Sequence, residues 1–253
     1  MKTQYKYLTL FLLIAFLLHL ICIVAQTIIS SNFIRFIFYG IQAASPTISA
    51  IITLYFQKDK TALIKMFSKK HLKTAIFLPI VIACMTMFLA KLIFCMLFKI
   101  NFTFGNISII QFIIISWTFI AEEIGWRGYL EPLLKINHIY KQIIPCIVGM
   151  IWCLWHYHYF LQKGIDVPVL LFLINCIIES YIYSFLMRCT DNNIISAMTY
   201  HFSWNLFLHI FAVNPSDNNG NIFPYIILSI LEILVMLLFW NIKNINNKIS
   251  PIQ

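Results

Sequence analysis

The sequence predicts an all-α, polytopic membrane protein with about eight transmembrane helices. Hydrophobic residues make up 61% of the chain and charged residues only 11%, whereas soluble domains carry about 25% charged residues. Mean hydropathy is +0.85. Apolar runs of roughly 20 residues, enough for a helix to cross a bilayer, recur along the chain.

Eight stretches fit this description: roughly 7–26, 35–56, 74–98, 107–130, 143–161, 167–187, 193–213 and 222–242. The first follows Lys2 and Lys6. Its apolar stretch exceeds that of a signal peptide, and no small-residue cleavage site follows, so a retained helix is expected. Pro46, Pro79, Pro168 and Pro224 fall within or near spans, where membrane helices tolerate them. The length leaves room for one integral-membrane domain, residues 1–253.

The net charge of +9 would suggest nucleic acid in a soluble protein. Here the lysines lie between apolar spans, so no nucleic-acid partner is expected. Lys58, Lys60, Lys65, Lys69, Lys70 and Lys73 crowd one loop. With eight spans, Lys2, Lys6, Lys135, Lys141, Arg188, Lys243 and Lys248 share its side, against Arg35, Lys99 and Lys163 opposite. The positive-inside rule then places both termini in the cytoplasm of a multi-pass cell-membrane protein. In 57–73, Leu63, Ile64, Met66 and Phe67 alternate with lysines. The segment reads as a solvated loop or a surface helix touching anionic membrane lipid. The seven cysteines lie in or beside apolar segments with no CxxC pair, which indicates buried thiols rather than a disulfide frame or zinc knuckle.

Against this background, AlaGluGluIleGlyTrpArgGlyTyrLeu at 121–130 stands out. A charged side chain at the bilayer centre costs about 2.5–3.5 kcal/mol on insertion scales. Glu123 and Arg127 are four apart and share a helix face, while Glu122 is turned about 100° away, free to address a cavity. An ion pair at a helix end is the structural alternative. The fifth span offers Trp152 and His156 on one face, with His158 elsewhere; the seventh offers His201 and Asn205, with His209 two turns beyond His201. Each histidine alone fits a structural role. Three spans each presenting an i, i+4 pair with an ionisable member point to a shared site. Lys91 is expected to snorkel or pair. Glu179 and Glu232 are expected to pair with it or a histidine, or to line the cavity. His19 stands alone on the first span.

GluGluIleGlyTrpArg (122–127), TrpCysLeuTrpHis (152–156) and HisPheSerTrpAsn (201–205) resemble the three ordered motifs of the CPBP intramembrane endopeptidases. That family comprises CAAX prenyl proteases and bacteriocin-processing or immunity proteins, the Abi group. Its motifs are written EExxxR, FxxxH and HxxxN; this chain departs only in having Trp152 where Phe is usual. The similar region covers about 105–210. The resemblance implies a glutamic endopeptidase acting on a membrane-associated peptide or lipid-anchored protein, without cofactor or metal. Glu122 would activate water with His156, His201 and Asn205 would stabilise the oxyanion, and Glu123 and Arg127 would orient Glu122. The Ile-, Asn- and Lys-rich composition has a bacterial look, which favours processing of a small secreted peptide, or immunity against one, over prenylated C-termini.

Three other readings compete. Two glutamates and two histidines suit a zinc peptidase, although no HExxH pair occurs. A non-catalytic immunity or peptide-sensing protein would use the same cavity for binding alone. A transporter would use the charges as a proton relay, but no broken-helix repeat supports it. One geometric tension also stands: by ideal spans, Glu122 lies nearer the cytoplasmic surface than His156.

Overall fold

The computed structural model describes residues 2–59, 61–137, 139–161 and 166–249. Lys60 and Lys163, counted among the loop lysines, lie outside the described residues. Among the described residues every regular element is helical. The chain runs through α1 (Lys2–Ile28), α2 (Asn32–Ala43), α3 (Ser45–Gln57), α4 (Ala62–Met66), α5 (Leu72–Phe98) and α6 (Ile109–Glu123). A π-helical segment, Ile124–Leu130, leads into α7 (Glu131–Ile136). Then follow α8 (Ile144–Trp155), α9 (Tyr157–Leu161), α10 (Val169–Cys189), α11 (Ile194–Ile210), a short 3-10 turn Pro215–Asn218 and α12 (Phe223–Ile249).

Each of the eight expected stretches is helical, but fewer than eight helices meet the requirements of a full span. Five are long and apolar enough to cross a membrane: Tyr5–Ile28, Leu72–Phe98, Ile109–Ile136, Val169–Cys189 and Phe223–Asn241. The pair α2 and α3, bent by 57°, makes a sixth if taken as one broken span. The expected fifth span is interrupted at His156, leaving the 12-residue α8, and α11 has 17 residues. Hydropathy averaged over a window does not register these interruptions, which accounts for the difference.

Side-chain caps position the helices that carry the motifs. Ser108 opens α6 with a reciprocal box: its hydroxyl accepts from the Gln111 backbone N–H at 3.2 Å, and the Gln111 side chain accepts from the Ser108 N–H at 2.9 Å. This satisfies donors that a helix start leaves unpaired. Asn193 caps α11 by accepting from the Ile195 N–H, while its own amide donates to the carbonyls of Ser68 and Lys70 at 2.7 and 3.2 Å. One side chain thus fixes the start of α11 and ties down the lysine-rich loop.

α11 packs on α5 and α6, α10 on α8 and α12, and α3 on the π-helical segment. The last contact depends on glycine. A Cβ on Gly125 would run into the Pro46 backbone. A Cβ on Gly149 would lie 2.6 Å from the Cys176 carbonyl oxygen, so α8 and α10 also approach through a glycine. The core joins Phe11, Trp126, Trp155, Tyr183 and Tyr200. Leu13, Leu17 and Ile21 on α1, Phe77 and Val81 on α5 and Leu234 and Leu238 on α12 face outward, the apolar exterior that lipid requires.

Several lone polar residues find partners. His19 is not alone: its Nε2 lies 3.0 Å from His158 Nδ1, anchoring α1 to α9. Lys91 does not snorkel; it is 1% exposed, with its ammonium 5.7 Å from the Phe94 ring centre. Four cysteines, Cys22, Cys95, Cys153 and Cys176, are buried, but Cys189 is exposed.

Candidate active site

The three motifs converge on one cavity of about 370 Å³. Glu122, His156, His201 and Asn205 all line it, with Trp152 between the first two motifs. Glu123 and Arg127 do not line it; both are fully buried behind. This matches the rotation expected between Glu122 and the 123/127 face.

Glu122 sits at the end of α6, where the helix widens into the π-helical segment. π-helical turns are rare and are frequently found at functional sites. The span continues through Arg127 to Ile136. Glu122 therefore lies 14 residues from that end, roughly 20 Å at 1.5 Å per residue. His156 follows the 12-residue α8, roughly 18 Å from its start at Ile144. The extension of the fourth span beyond Leu130 eases the tension in the ideal-span reading.

Glu122 Oε2 accepts a hydrogen bond from the Trp152 indole N–H at 2.8 Å. His156 ends α8, and its Nδ1 lies 2.9 Å from the Trp152 carbonyl oxygen. A carbonyl only accepts, so Nδ1 carries the proton and the Nε2 of neutral His156 keeps its lone pair. The imidazole is wedged between Tyr159, stacked at 5.1 Å, and Trp155, edge-on at 4.8 Å.

Glu123 bridges His201 and Arg127. Its Oε1 lies 2.8 Å from His201 Nδ1, and its Oε2 lies 3.4 Å from Arg127 Nε. The Arg127 guanidinium rests 4.4 Å from the Tyr183 ring centre and 5.4 Å from that of Trp152. The Glu123 carboxylate beside Nδ1 holds the proton there, as the Trp152 carbonyl does for His156, so the Nε2 of His201 is the nitrogen left to act. Asn205, one turn further along α11, places its amide on the same cavity wall.

Other side chains in the cavity were not legible as site residues. Tyr39 on α2, Tyr159 on α9, Asn175 on α10 and Tyr225 on α12 all line it. They carry no motif spacing; only the tertiary packing brings them in. Glu179 lines the cavity, whereas Glu232 lies behind it, accepting from Trp204 Nε1 at 2.7 Å. His209 reaches the cavity and bonds Asp217 at 2.6 Å. His158 pairs with His19 instead. Among the described residues, no three His, Cys, Asp or Glu side chains come together as a metal-holding group.

None of the curated proteins matches the chain. Residues 104–207 match the family model described as Rce1-like, type II CAAX prenyl endopeptidase. That stretch contains all three motifs and most of the cavity wall. Over residues 104–207 the chain is thus similar to the type II CAAX prenyl endopeptidases, in line with the resemblance that its three motifs carry.

Proposed function

We propose that the protein is a glutamic endopeptidase that hydrolyses a peptide bond of a membrane-associated peptide or lipid-anchored protein, using water activated by Glu122 and His156. One observation carries this reading: Glu122, His156, His201 and Asn205, from three separate motifs, line a single cavity.

The geometry supports a definite division of labour. The Trp152 N–H holds Glu122 Oε2, leaving Oε1 to accept a proton from water. The Nε2 lone pair of His156 accepts the other water hydrogen and directs the oxygen. Attack on the scissile carbonyl forms a C–O bond and transfers the water proton to Glu122. Collapse breaks the C–N bond, and Glu122 returns that proton to the leaving amine. The Asn205 amide donates to the oxyanion. His201 donates from Nε2 as an imidazolium, whose charge is supported by Glu123 at 2.8 Å. Arg127 and Glu123 are positioning residues, since neither faces the cavity.

The lysine distribution supports cytoplasmic termini. The composition supports a small peptide as substrate over a prenylated C-terminus.

Purified protein in detergent, offered candidate peptides, should cleave at least one, and should continue after dialysis against a strong chelator. Glu122→Gln should reduce turnover by about 10²–10⁴-fold, the usual contribution of general acid–base catalysis, while inserting and accumulating normally. Wild-type-like turnover by Glu122→Gln would sink the mechanism. Peptide binding without any cleavage by the unaltered protein would favour the immunity or sensor reading.

A further inference from the structure

On the α10 and α12 side of the cavity stands a second polar group that the proposed hydrolysis does not use. Asn175 and Glu179 are four apart on one face of α10, and both line the cavity with Tyr225 and Trp204. Glu232 stands behind them. Asn175 is 2% exposed, Glu179 3% and Glu232 0%. Glu179 Oε1 accepts from the Tyr200 hydroxyl at 3.4 Å, and Glu232 Oε1 accepts from Trp204. The second oxygen of each carboxyl accepts from no other donor of the described residues; the two carboxyls reach one another, and the Asn175 amide reaches the Tyr225 hydroxyl.

Buried polar groups without partners are costly, and buried carboxyl groups are normally matched by a cation. Among the described residues, Arg127 acts on Glu179 only at a distance. Among the described residues, no ion pair joins Glu179 or Glu232 to a basic side chain. Arg127 is held by Glu123, and Lys91 lies over the Phe94 ring.

We propose that Glu179 and Asn175, backed by Glu232, form a subsite that takes a basic side chain of the peptide substrate. An ammonium or guanidinium entering here would give Glu179 Oε2 and the Asn175 carbonyl charge-assisted hydrogen bonds. The rings of Tyr225 and Trp204 would flank the aliphatic stem and the charge. Glu179 stands one turn along α10 from Tyr183, whose ring lies 6.2 Å from that of His201. One helical turn is about 5.4 Å, and an extended peptide advances about 3.3–3.6 Å per residue. The basic residue therefore falls within about three residues of the cleaved bond. The inference deepens the proposed peptidase function and rests on it for the word substrate, but the pocket's preference is testable without turnover.

The test uses the full chain carrying Glu122→Gln, so that bound peptide stays intact. The probes are short apolar peptides with one lysine placed at each position in turn, paired with counterparts that carry norleucine there. Affinity is measured in detergent by fluorescence anisotropy. At one or two positions, lysine should bind at least about 10-fold tighter than norleucine, in line with couplings measured for close charge pairs. Adding Glu179→Gln should reduce that ratio to about 2-fold or less, with norleucine peptides unaffected. Equal affinity of the two series, failure of both to bind, or a lysine preference that survives Glu179→Gln would each overturn the subsite. The norleucine comparison changes only the peptide, so it stands even if Glu179→Gln fails to accumulate. A lysine preference in a protein whose unaltered form cleaves nothing would retain the subsite and refute the peptidase.

Discussion

Trp152 holds the position where the resembled family has phenylalanine, and the ring alone does not explain what it does here. Its indole N–H donates to Glu122 Oε2 at 2.8 Å. Trp152→Phe removes that donor and keeps an aromatic ring beside Tyr183 and His201, whose centroids lie 6.1 and 5.9 Å away. Hydrogen bonds to charged groups contribute about 1.5–3 kcal/mol. At 1.4 kcal/mol per tenfold, that corresponds to roughly 10–100-fold. The loss should fall on turnover rather than stability, because Glu122 faces the cavity and water can replace the indole N–H there. The cation–π contact with Arg127 weakens but persists, since phenylalanine also offers a ring face. The assay is kcat and KM in detergent beside the thermal midpoint. The expected result is a kcat lowered at least about 10-fold, KM within about 2-fold, and a midpoint near that of wild type. Turnover within about 2-fold of wild type would show that the indole N–H does not orient the base. A collapsed midpoint would show that Trp152 matters for packing instead.

Two further outcomes follow from packing and topology. Gly125→Ala should lower the thermal midpoint and cleavage together, because its Cβ would meet the Pro46 backbone and overpacking costs about 1–3 kcal/mol. Gly128→Ala, whose Cβ would meet only the Met66 sulfur at 2.7 Å, should be milder; equal effects would undo this reasoning. Reporter fusions at Lys70 and Asn218 should lie on opposite sides of the membrane. Lys70 is tied to the start of α11 through Asn193, and Asn218 follows its far end; signals from the same side would contradict this arrangement.

How far the sequence could be read depended on the length scale of each interaction. Side-chain relationships within one turn were legible: the Glu123–Arg127 pair, the separate facing of Glu122, and the shared face of His201 and Asn205 follow from helical spacing. A shared site was legible in the three i, i+4 pairs and in the resemblance, but no periodicity fixes how residues some 80 positions apart meet. The bond between Glu123 and His201 could not be read, since it depends on how α11 packs against α6. The His19–His158 pair was missed for the same reason. The Trp152 N–H bond to Glu122 is equally illegible, since the exchange of Phe for Trp adds one donor whose partner only the packing of α8 against α6 reveals.

The shortfall in full spans and the location of the site have one cause. Irregular backbone at membrane depth is tolerated only where protein or a water-filled cavity satisfies it. Among the described residues, helices within the expected spans are interrupted between α2 and α3 at Ala44, at His156, and through the π-helical turns of 124–130. The breaks lie against one another. Pro46, in the first turn of α3, packs on Gly125 of the π-helical segment, and Ser45 Oγ accepts from the indole N–H of Trp155, the last residue of α8, at 3.0 Å. His156 follows immediately and Glu122 lies two residues before the π-helical turns, so two of the four motif residues that line the cavity sit at helix interruptions. The His156 N–H bonds back to the Trp152 and Cys153 carbonyls at 3.3 and 3.0 Å, and its Nδ1 shares the Trp152 carbonyl at 2.9 Å, which leaves Nε2 free. Hydropathy therefore falls short in the places where the chain departs from regular spans to assemble polar groups, and those departures mark the site as clearly as the charges do.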